Sequence, residues 1–512
     1  MNFMEDKMLH TARQILIRIA LALMIVTLIL GCSCTKPKLG TLIGTIQLVN
    51  DSGDPANDPA DFSGVSIALY APAVLDTAIV RANIKYPGVG FAISQETEFD
   101  HREHTALYTA SSAADGSFNL AEIEPGRYNI VLSKAGWGWR YLLDCMVGVG
   151  ENTLSEFVSG KNNQATILYP ERTISYNDQI QSLKADHFYK VESDVVLIHN
   201  LSIERGAYLL LTPLTNLTLI GNLTTQDNES GSYAKVLVEG SSVELDSAFG
   251  KVMVQGNVEI SGVVFSNSLT GVQFTGGSVV AADIRVKNGS SGLMCRNCVA
   301  VDISNAVVSG IGQLITSGAN IYSTDGGLDL TSCDNSQVRQ SVLSRCNSGV
   351  KVREFCDTNV HDCYFFYNTI GAEGLVNTAI YEHNEYLGNY SYDIRVYGTC
   401  SPIIRKNNFQ STRGVNIGLN TLLAFLNCNP LITRNNFNCE VFAIRIMGNN
   451  MIDVDATNNY FYSTNFGRLE ELIWDQNDYN PHDWSNQIIQ NTAYINYIPF
   501  LNNKVPDAGI RM

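Results

Sequence analysis

The sequence predicts an all-β chain in two parts, a small β-sandwich followed by a long stack of parallel coils. Three observations carry that prediction. The triplets Asn407-Asn408-Phe409, Asn435-Asn436-Phe437 and Asn458-Asn459-Tyr460 return at steps of 28 and 23 residues, with a weaker copy at Asn384-Glu385-Tyr386. Such a period marks coils that cannot bury their apolar faces alone and must cover one another. The earlier part of the chain alternates apolar and polar residues between tight-turn signals. Gly, Asn, Ser, Thr and Tyr are plentiful and only 16% of residues are charged, a balance that favours short strands and tight turns.

Residues 1–31 read as an export signal. Lys7, Arg13 and Arg18 precede an apolar run from Ile19 to Leu30, which is short for a membrane span. The run ends in Ile29-Leu30-Gly31-Cys32, which resembles the bacterial lipobox. That resemblance implies a lipid on Cys32, a linker over 32–39 and a membrane as partner. An uncleaved membrane anchor is the competing reading. Ser33, where Asp would retain such a protein at the inner membrane, implies the outer membrane or cell surface in a Gram-negative host. The net charge of −16 argues against nucleic acid as a partner, because an acidic surface gains nothing from displaced counterions.

Residues 40–165 form the sandwich. Leu42-Ile43-Gly44-Thr45-Ile46-Gln47-Leu48 and Gly64-Val65-Ser66-Ile67-Ala68-Leu69-Tyr70 alternate, Asp115-Gly116 marks a hairpin, and Pro125-Gly126 opens a further strand. The order Gly44-x-Ile46, Gly64-Val65-x-Ile67, Asp115-Gly116-x-Phe118, Pro125-Gly126-x-Tyr128 resembles the carboxypeptidase regulatory-like domain. This implies a non-catalytic, prealbumin-like sandwich used as a spacer or binding platform. An insertion from about Ala71 to Tyr108 departs from that pattern and ends in Asp100-His101-Arg102-Glu103-His104. We read this charged end as a solvated edge rather than a metal grip, since the side chains of a short motif on a loop need not converge.

After a linker over 166–186, the coils run over 187–475 and a closing segment over 476–512. Tyr189 to Leu197, Leu201-Ser202-Ile203-Glu204-Arg205-Gly206 and Leu217 to Leu223 resemble the first coils of right-handed parallel β-helix proteins of the pectate-lyase-like kind. Later coils carry an apolar residue three before a small or amide residue, as in Val360 with Cys363, Ile404 with Asn407 and Ile432 with Asn435. One longer gap contains Asn320 to Gly327, a loop insertion. Parallel coils stack about 4.8 Å apart, so equivalent amides can bond up and down the stack, and Asn tolerates the left-handed backbone of a sharp bend. The Asn triplets are therefore architectural. Nine of the ten cysteines beyond Cys34 fall in the coils, where we expect reduced, buried fillers; disulfides between neighbouring coils are the competitor. Cys295-Arg296-Asn297-Cys298 has no partner pair at zinc-ribbon spacing, so no metal is expected.

Two columns of side chains can carry chemistry. Superposing Val350 to Arg353, Tyr392 to Arg395, Val415 to Gly418 and Phe442 to Arg445 places Arg353, Arg395 and Arg445 in one outward column beside Lys351, with Gly418 leaving a gap. A second column, Asp362, His383, Lys406 and Arg434, precedes the small position of each coil. Guanidinium groups bind carboxylates in bidentate fashion, so the first column suggests a groove for an acidic polysaccharide. A lyase, hydrolase or epimerase would need a base and a charge-neutralising group, roles that His383 with Lys406 or Arg434 could fill. Asp453 with Asp455 lacks a matching acidic cluster, and Asn480-Pro481-His482-Asp483 resembles an alginate-epimerase motif but lies in the closing segment. The favoured reading is a non-catalytic, envelope-anchored binder or adhesion rod; the alternative is an enzyme on an acidic polysaccharide. No motif calls for a cofactor, and calcium stays open without one.

Overall fold

The computed structural model describes residues 38–50, 55–157, 166–176, 178–227, 232–238, 248–312, 314–316, 319–321, 326–411, 414–421, 427–448, 450–478 and 493–511. The export signal, Cys32 and residues 480–483 lie outside them.

The sandwich pairs Gly40–Thr45 with Ser117–Ile123 and Gly150–Thr153 in one sheet. The facing sheet has the order Tyr108–Ser111, Ser66–Tyr70, Gly126–Ser133, Trp139–Val147. Leu42, Ile67, Leu69, Phe118, Ile130 and Leu132 fill the space between them. Alternation along Ser66–Tyr70 turns Ala68 and Tyr70 the other way, where they meet Phe188, Tyr208, Leu210 and Leu237 of the coils. Both faces of this sheet are thus buried, and the sandwich is docked against the coils rather than held away as a stalk.

The second part is a right-handed parallel β-helix. Each coil has three strands, and each strand pairs in parallel with its counterpart one coil on. We name the faces by one coil: Ser348–Arg353 on face 1, Thr358–His361 on face 2 and Tyr364–Phe366 on face 3. Their partners in the next coil are Ile370–Leu375, Ile380–Glu382 and Glu385–Leu387. Arg172–Thr173 and Ser182–Leu183, inside the expected linker, already pair with Phe188–Val191 and Leu201–Glu204. Around the expected loop insertion, a small antiparallel hairpin joins Leu314–Thr316 to Ala319–Ile321.

Small polar ladders line the corners of the coil. Between faces 2 and 3, each amide carbonyl accepts the backbone N–H of the coil before it. Asn407 Oδ1 takes Asn384 N at 3.0 Å, Asn435 Oδ1 takes Asn407 N at 2.9 Å, and Asn459 Oδ1 takes Asn435 N at 2.8 Å. The last step is therefore 24 residues, and Asn459-Tyr460-Phe461 is the true third copy, one residue later than the sequence triplet. The aromatic members Phe365, Tyr386, Phe409, Phe437 and Phe461 stack with centroids 4.8 to 5.1 Å apart, the spacing that parallel strands impose. Cys298, Cys333, Cys356, Asn377, Cys400, Cys428 and Asn450 occupy the corner between faces 1 and 2. Cys356 Sγ accepts Cys333 N at 3.1 Å there. The ten described cysteines are free thiols, nine of them fully buried, and burial pushes the Cys346 and Cys428 thiols up to about 12.

The sandwich insertion is a clasp on face 3. Asp76 caps the helix Thr77–Lys85, accepting from Ala78 N and Ile79 N. Ile79, Ala82, Tyr86, Val89 and Ile93 pack on Val307, Val342, Tyr364 and Phe366. Gly90 donates its N–H to Gln340 O at 2.8 Å. Lys85 pairs with Glu385 at 3.4 Å, and Asp76 pairs with Arg345. Glu98 takes Arg285 at 2.8 Å, and Lys287 Nζ donates to Thr97 O at 2.9 Å. Burial would push the Glu98 carboxyl up, but Arg285 and Lys287 outweigh it and hold it at about 2. At the charged end of the insertion, Asp100, His101 and Arg102 are partly buried, whereas Glu103 and His104 are exposed as the expected solvated edge would be. Arg102 pairs with Asp100, and His101 Nδ1 lies 2.8 Å from Tyr141 Oη. Burial holds His101 down at about 4, with Asp100 opposing.

Candidate polysaccharide-binding face

The column Asp362, His383, Lys406, Arg434 is the bend between faces 2 and 3. All four residues have positive φ, from 54° to 56°, as does Asn458 at 61°. Only the backbone demands are shared; the side chains are free to differ, which is why the column reads as mixed chemistry. The closing segment then runs back over it. Gly509 N donates to Lys406 O at 2.8 Å, Lys406 pairs with Asp507 at 2.9 Å, and Arg434 approaches the same carboxylate at 3.6 Å. Arg511 Nε donates to Asp362 Oδ1 at 3.0 Å, and His361 Nδ1 lies 2.7 Å from Asp362 Oδ2. Burial would raise the Asp362 carboxyl, but His361 and Arg511 hold it well below the carboxylate range. Burial and then Arg511 lower His383, which is only 5% exposed. Asp362 is thus engaged by the tail rather than open to ligand; of the catalytic candidates His383 is buried, whereas Lys406 is partly exposed and Arg434 exposed, both facing Asp507 of the closing segment.

The arginine column lies on face 1, and its register differs from the expected one. Asp329, Lys351, Glu373, Arg395, Gly418, Arg445 and Trp474 are successive partners. Lys351, not Arg353, shares the column of Arg395 and Arg445. Arg353 stands two residues along, in line with Leu375 and Tyr397. A shift of two leaves every side chain on its own face, so apolar alternation could not detect it.

The two ends of this column differ in charge. At one end, Arg353 pairs with Asp329 at 2.9 Å, and Glu373 takes Lys351 at 3.0 Å and Arg395 at 3.7 Å. At the other end, Arg445 has no ion pair among the described residues. Its guanidinium lies 5.3 Å from the rings of both Phe442 and Trp474. Arg395 lies 5.7 Å from the Tyr392 ring and 5.1 Å from that of Tyr397. Neither Arg395 Nε nor Arg445 Nε has a hydrogen-bond partner among the described residues.

The gap at Gly418 is filled by a ring. A Cβ there would meet Tyr392 Cε1 at 2.4 Å, so only glycine lets Tyr392 lie across the strand, where its hydroxyl reaches Met447 Sδ at 3.2 Å. The order along the face is therefore cation, ring, cation, ring: Arg395, Tyr392 over Gly418, Arg445, Trp474. Rings of this kind stack on the apolar faces of sugars, and guanidinium groups take carboxylates. Sequence reasoning found the two arginines and the glycine gap but missed Tyr392, Phe442 and Trp474. The signal for Tyr392 and Phe442 was an aromatic residue three before each of these arginines, whereas Trp474 is placed by strand register alone.

Beneath this face, Asp393 is fully buried. It accepts Asn389 Nδ2 at 2.8 Å and Asn416 Nδ2 at 2.7 Å, and Ser411 Oγ bonds it as well. Burial pushes its carboxyl up to about 7, the three hydrogen bonds offsetting only part of that rise. Among the described residues there is no group of three or more His, Cys, Asp or Glu arranged to hold a metal ion. Asp453 accepts Tyr494 N at 2.8 Å and Asp455 accepts Thr457 N at 3.0 Å, so both serve the backbone.

No protein-family model matches this chain, and no curated protein matches it in sequence. Among solved structures, a double mutant of the periplasmic alginate epimerase AlgG is similar over 54% of this chain and 72% of its own, at 12% identity and a TM-score of 0.23. A likeness that slight carries no argument about chemistry. The fold assignment stands on the strand pairing itself.

Proposed function

We propose that this protein is a non-catalytic binder of acidic polysaccharide at the cell envelope, tethered by a lipid on Cys32, with face 1 between Arg395 and Trp474 as its binding surface. The observation that carries this reading is the laying of Tyr392 over Gly418 between two arginines, one of which has no ion-pair partner among the described residues. On a chain of net charge −16, such a strip is a local positive feature that draws a polyanion. The non-catalytic part is supported by the contacts of Lys406 and Arg434 with Asp507 of the closing segment and by the burial of His383, all at a corner away from face 1.

Titration of the soluble chain lacking residues 1–34 with a panel of uronic-acid and neutral oligosaccharides tests this. Uronate binding that falls at least tenfold in an R395A/R445A double variant is expected. Unchanged binding in that variant, or none to any acidic glycan, would refute it. New ultraviolet absorbance from a sugar C=C bond, or inversion at a sugar C5 seen by NMR, would show the enzyme reading to be right instead.

A further inference from the structure

Resting on that reading, we infer that the ligand is a uronate chain laid along the long axis of the coils, whose carboxylates face the protein once per disaccharide. The spacing of the strip sets this requirement. Arg395 pairs with Gly418, and Gly418 with Arg445. Adjacent strands lie about 4.8 Å apart, so the two guanidinium groups start about 10 Å apart. That is close to the length of a disaccharide in an extended chain. In a two-fold uronan, alternate carboxylates point to opposite sides. One carboxylate then meets Arg395, the next points away to solvent, and the third meets Arg445.

The rings fall where the intervening sugars would. Tyr392 covers the rung between the arginines, so the sugar whose carboxylate faces solvent has a flat apolar surface beneath it. Trp474 supplies a second such surface one rung past Arg445. A cation at position 418 would suit a polyanion with a charge at every rung; this chain has glycine and a ring instead. The strip is also bounded. One rung before Arg395 stands Glu373, buried and bonded to the equally buried Lys351 at 3.0 Å, so that rung offers a uronate no free cation. From Arg395 to Trp474 the strip covers about 14 Å, three strand spacings. Guanidinium pairs are bidentate and planar, so a carboxylate displaced by half a sugar loses one of its two bonds.

Three tetrasaccharides separate the possibilities: a β-1,4-linked oligomannuronate, which extends with two-fold symmetry; an α-1,4-linked oligogalacturonate, which winds with three-fold symmetry; and the neutral cellotetraose. Calorimetric titration is expected to give the oligomannuronate at least tenfold tighter binding than the oligogalacturonate. The preference should disappear in Y392A and in R445A, with circular dichroism confirming that each variant keeps its fold. R445K, which retains the charge but not the fork, should keep weak binding and lose the preference. Equal affinity for the two uronates in the wild type, both abolished by R395A/R445A, would overturn the disaccharide spacing while leaving the acidic-polysaccharide reading intact. Absence of binding to either uronate would overturn both.

Discussion

Replacing Asp393 by Asn should stabilise the protein, and only at neutral and higher pH. Asp393 is wholly enclosed between coils, and its carboxyl is pushed up to about 7, against about 3.9 for an exposed aspartate. A raised carboxyl favours the protonated folded form. Its contribution is fully present below pH 4, is lost as pH climbs to about 7, and stays lost above that. Three units at about 1.36 kcal/mol each give roughly 4 kcal/mol. An asparagine makes no such demand. It can also be accommodated: Asn416 Oδ1 has no hydrogen-bond partner among the described residues, so turning the Asn416 amide over offers an acceptor to the new NH2 group. Stacked coils open locally, so the assay is amide hydrogen exchange across 389–416 at several pH values. D393N should gain roughly 3–4 kcal/mol of protection over wild type at pH 8, shrinking to under about 1 kcal/mol at pH 4. Equal protection at both pH values, or loss of protection at pH 8, would show that the carboxylate is ionised and well satisfied in place, and the reasoning would fail.

Three further outcomes are expected. E98Q should loosen the clasp by roughly 3–5 kcal/mol, since it leaves Arg285 and Lys287 without their anion. Wild type should loosen in the same way as pH falls from about 4.5 towards 2, because Glu98 is held at about 2 when folded; cleavage by pepsin between residues 71 and 108 would report it. N435A should cost roughly 3–5 kcal/mol, since it removes the acceptor for Asn407 N and Nδ2 and the donor to Ile404 O; urea denaturation followed by circular dichroism checks this. The described thiols should resist a bulky disulfide reagent in the native protein, Cys439 reacting first, and all should react in guanidinium; rapid native modification of the Cys333 or Cys356 thiol would contradict their burial.

Much of this architecture was legible because the coil repeats. Asn407, Asn435 and Asn384 announce the amide ladder, since one corner makes the same demand in every coil. The third triplet misled by one residue because Asn458, at positive φ, looks like the ladder residue Asn459 beside it. The arginine column was half legible. Arg395, Gly418 and Arg445 align as expected, whereas Arg353 sits in a strand whose alternating valines fit equally well after a two-residue slide. The clasp was hidden from local patterns. Glu98 and Arg285 are 187 positions apart, and a charged residue in isolation reads as surface.

That clasp also bears on how the chain assembles. It grips the solenoid near Arg285, at Gln340 and Arg345, and again at Glu385. Those anchor points exist together only once every intervening turn has been laid down in correct register. Closing loops this long is entropically slow, so latching is a late event. A solenoid that had skipped or slipped a turn would present its anchors at the wrong separation, and the N-terminal unit would stay unlatched.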